Sequence, residues 1–231
     1  MQLLSLSNYY NLIDGAEVLV SECVNGQEWP KVLRLQDLSF LKLFRLKRYL
    51  TSARLIPYAV RFQRHVKRLQ LADIPTVDIQ AVFKIATIER TAVHYRPLEG
   101  QTLREYCDTH DLDRSHAVQL GQFFEFLHRR GIYFRSIHFG NIVLTPNHRI
   151  GLIDVADMRF RRGPLKMGLR IRNLRHLFRY DSDLDCLSPA RCTFIDAYCA
   201  AAGLSPRQEE RLRHCYENYF KGRAVQGSRS V

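Results

Sequence analysis

The sequence predicts an α+β fold in which a small antiparallel sheet lobe precedes a mostly helical lobe. In the first part of the chain, short apolar segments alternate with turns, which is typical of strands. In the second part, apolar residues recur at the helical period. The change falls at residues 97–100. We therefore predict a sheet lobe over residues 1–96, a helical lobe over 97–221 and a flexible tail over 222–231.

The first lobe is predicted to hold five strands and one inserted helix. The strands are expected at residues 16–23, 31–36, 39–45, 79–86 and 89–96. The helix is expected at residues 58–71, where Pro57 suits its first turn. Four apolar residues share one face of that helix: Ala59, Phe62, Val66 and Leu69.

The second lobe is predicted to be helical except for one hairpin. Helices are expected at residues 102–109 and 114–130 and over most of 168–220. Short strands at residues 141–144 and 150–154 flank a turn at Pro146 and Asn147. A sheet lobe joined to a helical lobe leaves a cleft, and clefts are the usual place for ligands.

Composition narrows the class of protein. No apolar run reaches the roughly 18 residues that a bilayer crossing needs, and the N-terminal residues lack the pattern of a signal peptide. We expect a cytoplasmic protein, with peripheral contact to the inner membrane left open. The six cysteines show no zinc-binding spacing, and we expect them to be reduced thiols.

The formal net charge of +12 favours an anionic partner. Nucleic acid, a membrane surface and a phosphorylated substrate all satisfy this condition. The sequence contains no recognised nucleic-acid-binding motif, which disfavours the first of them.

The segment 127–156 carries the residues with the clearest chemical pattern. A loop containing His138, Gly140 and Asn141 is followed by a short strand, a turn and an apolar strand that ends at Asp154. A hairpin of this length can bring Asn141 and Asp154 side by side. Their oxygen atoms suit magnesium, which also bridges nucleotide phosphates. The alternative is a structural hairpin in which both residues serve only as turn and cap.

These residues resemble the protein-kinase-like superfamily, and within it the bacterial lipopolysaccharide core kinases and the proteins labelled toluene-tolerance. The family loop reads H-G-D-L-H-P-G-N, and Asp154 stands where the family has Asp-Phe-Gly. The resemblance covers about residues 16–180 and implies a bilobal kinase-like fold that binds ATP and Mg²⁺. It also implies that Asn141 and Asp154 hold the metal and that Lys42, at the family's third-strand lysine, binds the phosphates.

The resemblance extends to the segment that would lie behind the adenine. Residues 97–100 are similar to the family's hinge. This resemblance implies that the backbone near Tyr95 and Pro97 contacts the adenine base.

Three departures from the family pattern concern catalysis. Ser136 stands where the family has its catalytic aspartate, and residues 51–71 contain no acid to pair with the lysine. The glycine-rich loop is reduced to Gly26 in residues 24–30. His138 and Asp157 are alternative proton acceptors. Each also has a structural alternative, His138 as a loop histidine and Asp157 as the partner of a nearby arginine.

A basic stretch follows the predicted site. Residues 159–179 contain eight basic side chains and no acid: Arg159, Arg161, Arg162, Lys166, Arg170, Arg172, Arg175 and Arg179. Arginine suits phosphate and carboxylate oxygens. We expect Arg159, Arg161, Arg162 and Lys166 to bind the acceptor. A phosphorylated glycolipid or core oligosaccharide and the anionic inner membrane are the candidate partners, and a solvated helical face is the alternative.

Two functions follow from these expectations. The first is ATP-dependent phosphorylation of a lipopolysaccharide core sugar. The second is a pseudokinase that binds nucleotide and acts as a scaffold or regulator in envelope assembly, which Ser136 and the missing helix acid favour. A purely electrostatic membrane- or glycolipid-binding protein is a further alternative.

Overall fold

The computed structural model describes residues 1–46 and 56–227 and confirms the α+β class. The chain divides into two compact units. The first contains Met1–Glu99 and Gly151–Ala156, and the second contains Gly100–Ile150 and the chain from Asp157 onward.

The first unit contains a six-stranded mixed sheet. Its elements, in chain order, are β1 (Gln2–Leu3), α1 (Leu6–Leu12), β2 (Glu17–Val24), β3 (Gln27–Arg34), β4 (Phe40–Arg45), α2 (Tyr58–Leu71), β5 (Asp78–Ile85) and β6 (Arg90–Arg96). The strand order is β1-β5-β6-β4-β3-β2. The expectation of a wholly antiparallel sheet is wrong, because the short strand β1 pairs with β5 in parallel.

The N-terminal elements of this unit were not predicted. Ser5 caps α1 by accepting a hydrogen bond from the Asn8 amide, 3.2 Å away. Tyr9 of α1 is buried in a cluster with Leu33, Leu41 and Ile85. Burial of this ring explains why a helix of seven residues is stable here, since so short a helix is marginal on its own.

Helix α2 matches the prediction in both its bounds and its buried face. It begins after Pro57, which sits at its N-cap. The four residues predicted to share its apolar face are all buried: Ala59, Phe62, Val66 and Leu69.

The second unit is mostly helical. Its helices are α3 (Leu103–Cys107), α4 (Arg114–Arg129), α5 (Met167–Leu177), α6 (Asp181–Leu187), α7 (Arg191–Ala202) and α8 (Pro206–Gly227). Its strands β7 (Gln101–Thr102) and β9 (Ile142–Leu144) pair antiparallel, as do β8 (Ile132–Phe134) and β11 (Met158–Phe160).

Strand β10 (Ile150–Leu152) crosses the boundary between the two units and is shorter than predicted. The sequence predicted a strand to Asp154, but the φ angle of Asp154 is +52°. An extended strand requires negative φ, so β10 ends before this residue.

Helix α8 reaches Gly227, whereas the sequence predicted a flexible tail from residue 222. Residues 228–231 of that tail lie outside the described residues. Within residues 1–46 and 56–227, no helix has both the length and the apolar character that crossing a bilayer requires.

One pair of cysteines corrects the expectation that all six are reduced. Cys107 at the end of α3 and Cys186 in α6 form a disulfide, with their Cα atoms 6.1 Å apart. These residues are separated by 79 positions, so their proximity depends on the packing of the second unit. Sequence spacing gives no signal for such a pair. The remaining four are free thiols: Cys23, Cys192, Cys199 and Cys215.

Candidate functional site

An ion pair in the first unit joins Lys42 and Asp154. Lys42 lies in the middle of β4, and its Nζ atom is 2.6 Å from Asp154 Oδ1. The two residues are 112 positions apart in the chain. The lysine side chain is 11% exposed and the aspartate side chain 45% exposed. The fold therefore places an almost buried ammonium against a carboxylate that still reaches solvent.

The segment that carries Asp154 is held in the first unit by hydrogen bonds on either side of it. The Leu152 amide donates to the Pro75 carbonyl at 2.9 Å, and Thr76 Oγ1 donates to the Leu152 carbonyl at 2.7 Å. After Asp154, the Val155 carbonyl accepts from His65 Nδ1 at 2.7 Å. These contacts fix the backbone of Asp154, whose positive φ is uncommon outside glycine and is often found at functional sites.

Helix α2 contributes His65 to this arrangement instead of an acid. Because residues 56–71 contain no Asp or Glu, the carboxylate next to Lys42 comes from Asp154. No sequence motif marks His65. Its contact with the Val155 carbonyl could not be predicted, since the two residues are 90 positions apart.

Tyr95 is half-buried at the end of β6, and the charge of Asp154 acts on its hydroxyl. Its ring stacks on Phe40 at 5.8 Å and contacts Phe62 at 5.7 Å between centroids. Burial raises the pKa of the Tyr95 hydroxyl, and the negative charge of Asp154 raises it further. Pro97 follows β6 and is exposed. Lys42, Tyr95, Pro97 and Asp154 therefore all belong to the first unit.

The second unit holds the predicted loop around Ser136. Ser136 Oγ donates to Asp157 Oδ2 at 3.1 Å, so these two predicted residues are in contact. The Asn141 side-chain nitrogen donates to the Ser136 carbonyl at 2.8 Å. Asn141 is 7% exposed. Because its nitrogen is bound to the loop, the Asn141 amide is held in one orientation and its oxygen is left as the acceptor.

A buried carboxylate that the sequence did not reveal supports this loop. Asp183 of α6 has a fully buried side chain and accepts from the Phe139 amide at 2.9 Å. Arg104 of α3 donates to both oxygens of Asp183, each at 2.9 Å. A bidentate pair of this kind is strong and specific in orientation. Arg104 and Asp183 therefore position the loop from residue 136 to 141.

His138 lies in the same loop and packs edge-on against Tyr180, with 5.1 Å between ring centroids. The Arg104 guanidinium lies over the Tyr180 ring, 4.5 Å from its centroid. These contacts hold the His138 ring against Tyr180, the residue that precedes α6. They support the alternative in which His138 is a structural residue of the loop.

His128 forms a separate, fully buried network beneath the loop. Its Nδ1 atom is 2.8 Å from the Tyr198 hydroxyl, and its Nε2 atom is 3.2 Å from Asn173 Oδ1. Asn173 also bonds the backbone of Phe134 through both of its side-chain atoms. Burial, and secondarily the charge of Arg170, lowers the pKa of His128 to about 3. His128 is therefore neutral at neutral pH and links α4, α5 and α7.

The predicted acceptor residues are exposed, as binding would require. Arg159 lies on β11, and Arg161, Arg162 and Lys166 follow it. The wider basic stretch is not one continuous surface, however. Arg170 is 7% exposed, and it donates to the Leu165 carbonyl and the Tyr198 hydroxyl. Arg170 therefore has a structural role and is not part of the exposed basic surface.

The oxygen donors of the predicted site suit magnesium, which takes one or two protein ligands together with phosphates and water. Asp154 offers a half-exposed carboxylate in the first unit, and Asn141 offers an oriented amide oxygen in the second. Over residues 1–46 and 56–227, no group of three or more His, Cys, Asp or Glu side chains is placed to hold a metal ion by itself. Asp154 and Asn141 each offer an oxygen atom of the kind that binds Mg²⁺.

No protein-family model matches this chain, and no curated protein matches it.

Proposed function

We propose that this chain is an ATP-dependent phosphotransferase with a bilobal kinase-like fold, and that its acceptor is a sugar of the lipopolysaccharide core. The observation that carries the proposal is the ion pair between Lys42 and Asp154. An amine for the phosphates and a carboxylate for their metal are the two charges that phosphoryl transfer requires. The fold brings them together although the sequence separates them by 112 positions.

In this proposal, bound ATP with Mg²⁺ supplies the phosphoryl group, and the side chains bind and orient it. Lys42 neutralises phosphate charge, and its low exposure strengthens that interaction because few water molecules screen the ammonium. Asp154 and Asn141 would hold the metal through their side-chain oxygen atoms. Tyr95 and Pro97 provide the backbone near the adenine.

The proton acceptor in this proposal is Asp157. Ser136 occupies the position of the family's catalytic aspartate, and its hydroxyl donates to Asp157. A carboxylate is thereby joined to the loop by one hydrogen bond, and a positioned base typically contributes about 100- to 10,000-fold in rate. Ser136 orients this carboxylate. Arg159, Arg161, Arg162 and Lys166 follow Asp157 in the chain and bind phosphate groups of the acceptor.

Transfer of labelled phosphate from ATP to purified core oligosaccharide tests the proposal. The wild-type chain should transfer phosphate, and Asp154→Asn should abolish the transfer. Asp157→Asn should lower kcat by about 100-fold or more. The matched control is Glu17→Gln, which breaks the exposed ion pair with Arg34 in the same unit and should leave the rate unchanged.

A pseudokinase that binds nucleotide and acts as a scaffold in envelope assembly is the second candidate. The absence of an aspartate at position 136 favours it. This function predicts that ATP and Mg²⁺ raise the Tm of the wild-type chain but not of Asp154→Asn, while no acceptor is phosphorylated. Transfer by the wild-type chain that Asp157→Asn removes would exclude it.

A further inference from the structure

A basic groove lies within the second unit, where α5 packs against α8. Its volume is about 800 Å³. Five basic side chains line it, and no acidic residue does: Arg172, Arg175, His176, Arg179 and Arg211. None of these residues belongs to the set that we propose for phosphoryl transfer.

Three guanidinium groups of this groove lack a carboxylate partner in the part of the chain that the structure describes. Within residues 1–46 and 56–227, Arg172, Arg175 and Arg211 form no ion pair. Arg213, two residues beyond Arg211 on α8, is instead paired with carboxylates. It contacts Asp196 at 2.6 Å and Glu209 at 2.8 Å. Arg172, Arg175 and Arg211 therefore differ from Arg213 in that no carboxylate of the described residues occupies their hydrogen-bond donors.

Two arginines of the groove lie close enough to His176 to affect its pKa. Burial lowers the pKa of His176, and the charges of Arg179, Arg172 and Arg135 lower it further. Tyr133 shares a hydrogen bond of 2.9 Å with His176 Nε2, which fixes the ring at the side of the groove. Neighbouring positive charges repel one another, and an anion in the groove would relieve that repulsion.

The floor of the groove is apolar and holds one of its cations in place. Phe178 is 1% exposed, and Ile171 and Tyr219 also line the groove. The Arg175 guanidinium lies 5.6 Å from the centre of the Tyr219 ring. A stacked guanidinium keeps its donors directed outward while losing less conformational freedom on binding. The groove is therefore preorganised for an anion that presents several oxygen atoms.

We propose that this groove binds phosphate groups through Arg172, Arg175 and Arg211. Arginine matches the oxygen geometry of phosphate by donating two parallel hydrogen bonds. A soluble polyphosphate and a phospholipid headgroup present this same chemistry. The proposal does not depend on the phosphotransferase activity, since a phosphate bound here lies against α5 and α8 and uses neither Lys42 nor Asp154.

The test uses the full chain and two probes at an ionic strength of about 0.15 M, where exposed charges are screened beyond about 8 Å. Tripolyphosphate reports a soluble ligand. Phosphatidylcholine vesicles containing phosphatidic acid, compared with pure phosphatidylcholine vesicles, report a lipid headgroup. The site variant is Arg172→Gln with Arg211→Gln. Its matched control is Arg114→Gln with Arg207→Gln, two exposed arginines outside the groove that give the same loss of charge.

Wild-type binding to either probe, weakened about tenfold or more in the site variant and less than about twofold in the control, supports the groove. Binding to tripolyphosphate alone identifies a soluble ligand, and binding to the phosphatidic acid vesicles alone identifies a headgroup. Equal losses in both double variants would show only nonspecific attraction to a basic protein and would overturn the proposal. Absence of wild-type binding to both probes would also overturn it. A normal Tm for both variants establishes that they are folded.

Discussion

At the scale of single residues, the ion pair between Lys42 and Asp154 is unequal in its exposure to water. The lysine side chain is 11% exposed and the aspartate side chain 45% exposed. A charge left in a site that water reaches can be solvated, whereas one left in a buried site cannot. The two partners should therefore respond differently when each is changed alone.

We expect Asp154→Asn to lower the free energy of unfolding by about 2–3 kcal/mol, because it leaves the buried ammonium without a counter-charge. Lys42→Met removes the buried charge itself and should cost less than about 1 kcal/mol. Urea unfolding of the two variants measures the difference. Asparagine is chosen because it tolerates the positive φ of this position. A greater loss in Lys42→Met than in Asp154→Asn would contradict this account of the pair.

His128 gives a second prediction, concerning pH. Its pKa is about 3 in the folded chain and 6.5 at its ordinary value. As the pH falls below 6.5, His128 becomes protonated in the unfolded state but stays neutral in the folded state. The free energy of unfolding therefore decreases. Above pH 6.5 this contribution is fully present.

Replacing His128 should flatten this dependence. Between pH 6.5 and about pH 4, the slope for His128→Gln should be smaller than that of the wild type by up to about 1.4 kcal/mol per pH unit. Chemical unfolding at a series of pH values measures the slope. The control is His110→Gln, because His110 is exposed. If His128→Gln keeps the wild-type slope, His128 is not held neutral by the fold.

At the scale of elements, α4 and α7 approach each other closely at Gly121. A Cβ atom built on Gly121 would clash with the Phe194 carbonyl oxygen and lie 3.0 Å from the Tyr198 amide nitrogen. Nearby, the rings of Phe124 and Phe194 meet edge-on at 5.8 Å. A glycine at position 121 thus lets the two helices pack directly against each other.

We expect Gly121→Ala to destabilise the chain by about 1–3 kcal/mol, although alanine is the better helix former. The control is Gly168→Ala on α5, where a Cβ atom would meet nothing within 4 Å. This control should be neutral or stabilising by up to about 1 kcal/mol. Thermal unfolding of both variants measures the two changes in stability. A stabilising effect of alanine at both positions would show that α4 and α7 do not approach as closely as described.

The same scale shows what sequence patterns can predict. Helix α2 was predicted with its bounds and buried face because four apolar residues and a starting proline mark it. Helix α1 and strand β1 escaped prediction because they are short and depend on tertiary contacts, α1 through Tyr9 and β1 through β5. The end of β10 was misplaced because no sequence pattern reveals a positive φ at an aspartate.

At the candidate site, the sequence pointed to individual residues but not to the contacts between them. Lys42 and Asp154 were selected by their resemblance to a family motif, but their direct contact depends on the fold and could not be read from spacing. Arg104 and Asp183 were missed altogether. They lie on two short helices 79 positions apart, and neither carries a motif. Long-range pairs of this kind become visible only when the packing is known.

At the scale of the whole molecule, charge separates into regions with different roles. The chain carries a formal net charge of +12. Arg104 and Arg170 are used inside the second unit, where they hold Asp183 and Tyr198. The cations of the α5–α8 groove and those after Asp157 remain accessible. The excess charge is therefore consistent with the proposed phosphate-binding groove, whereas the Lys42 ammonium contacts the Asp154 carboxylate.

Calorimetric titration of the full chain with ATP and Mg²⁺ tests the central claim most directly. We predict saturable binding that weakens when Mg²⁺ is removed. Lys42→Met and Asp154→Asn should each weaken binding by about tenfold or more, because each removes a charge-assisted contact to the phosphates or their metal. Glu17→Gln should bind as the wild type does. If the wild type shows no binding at millimolar ATP, or if both site variants bind as tightly as Glu17→Gln, the account is contradicted.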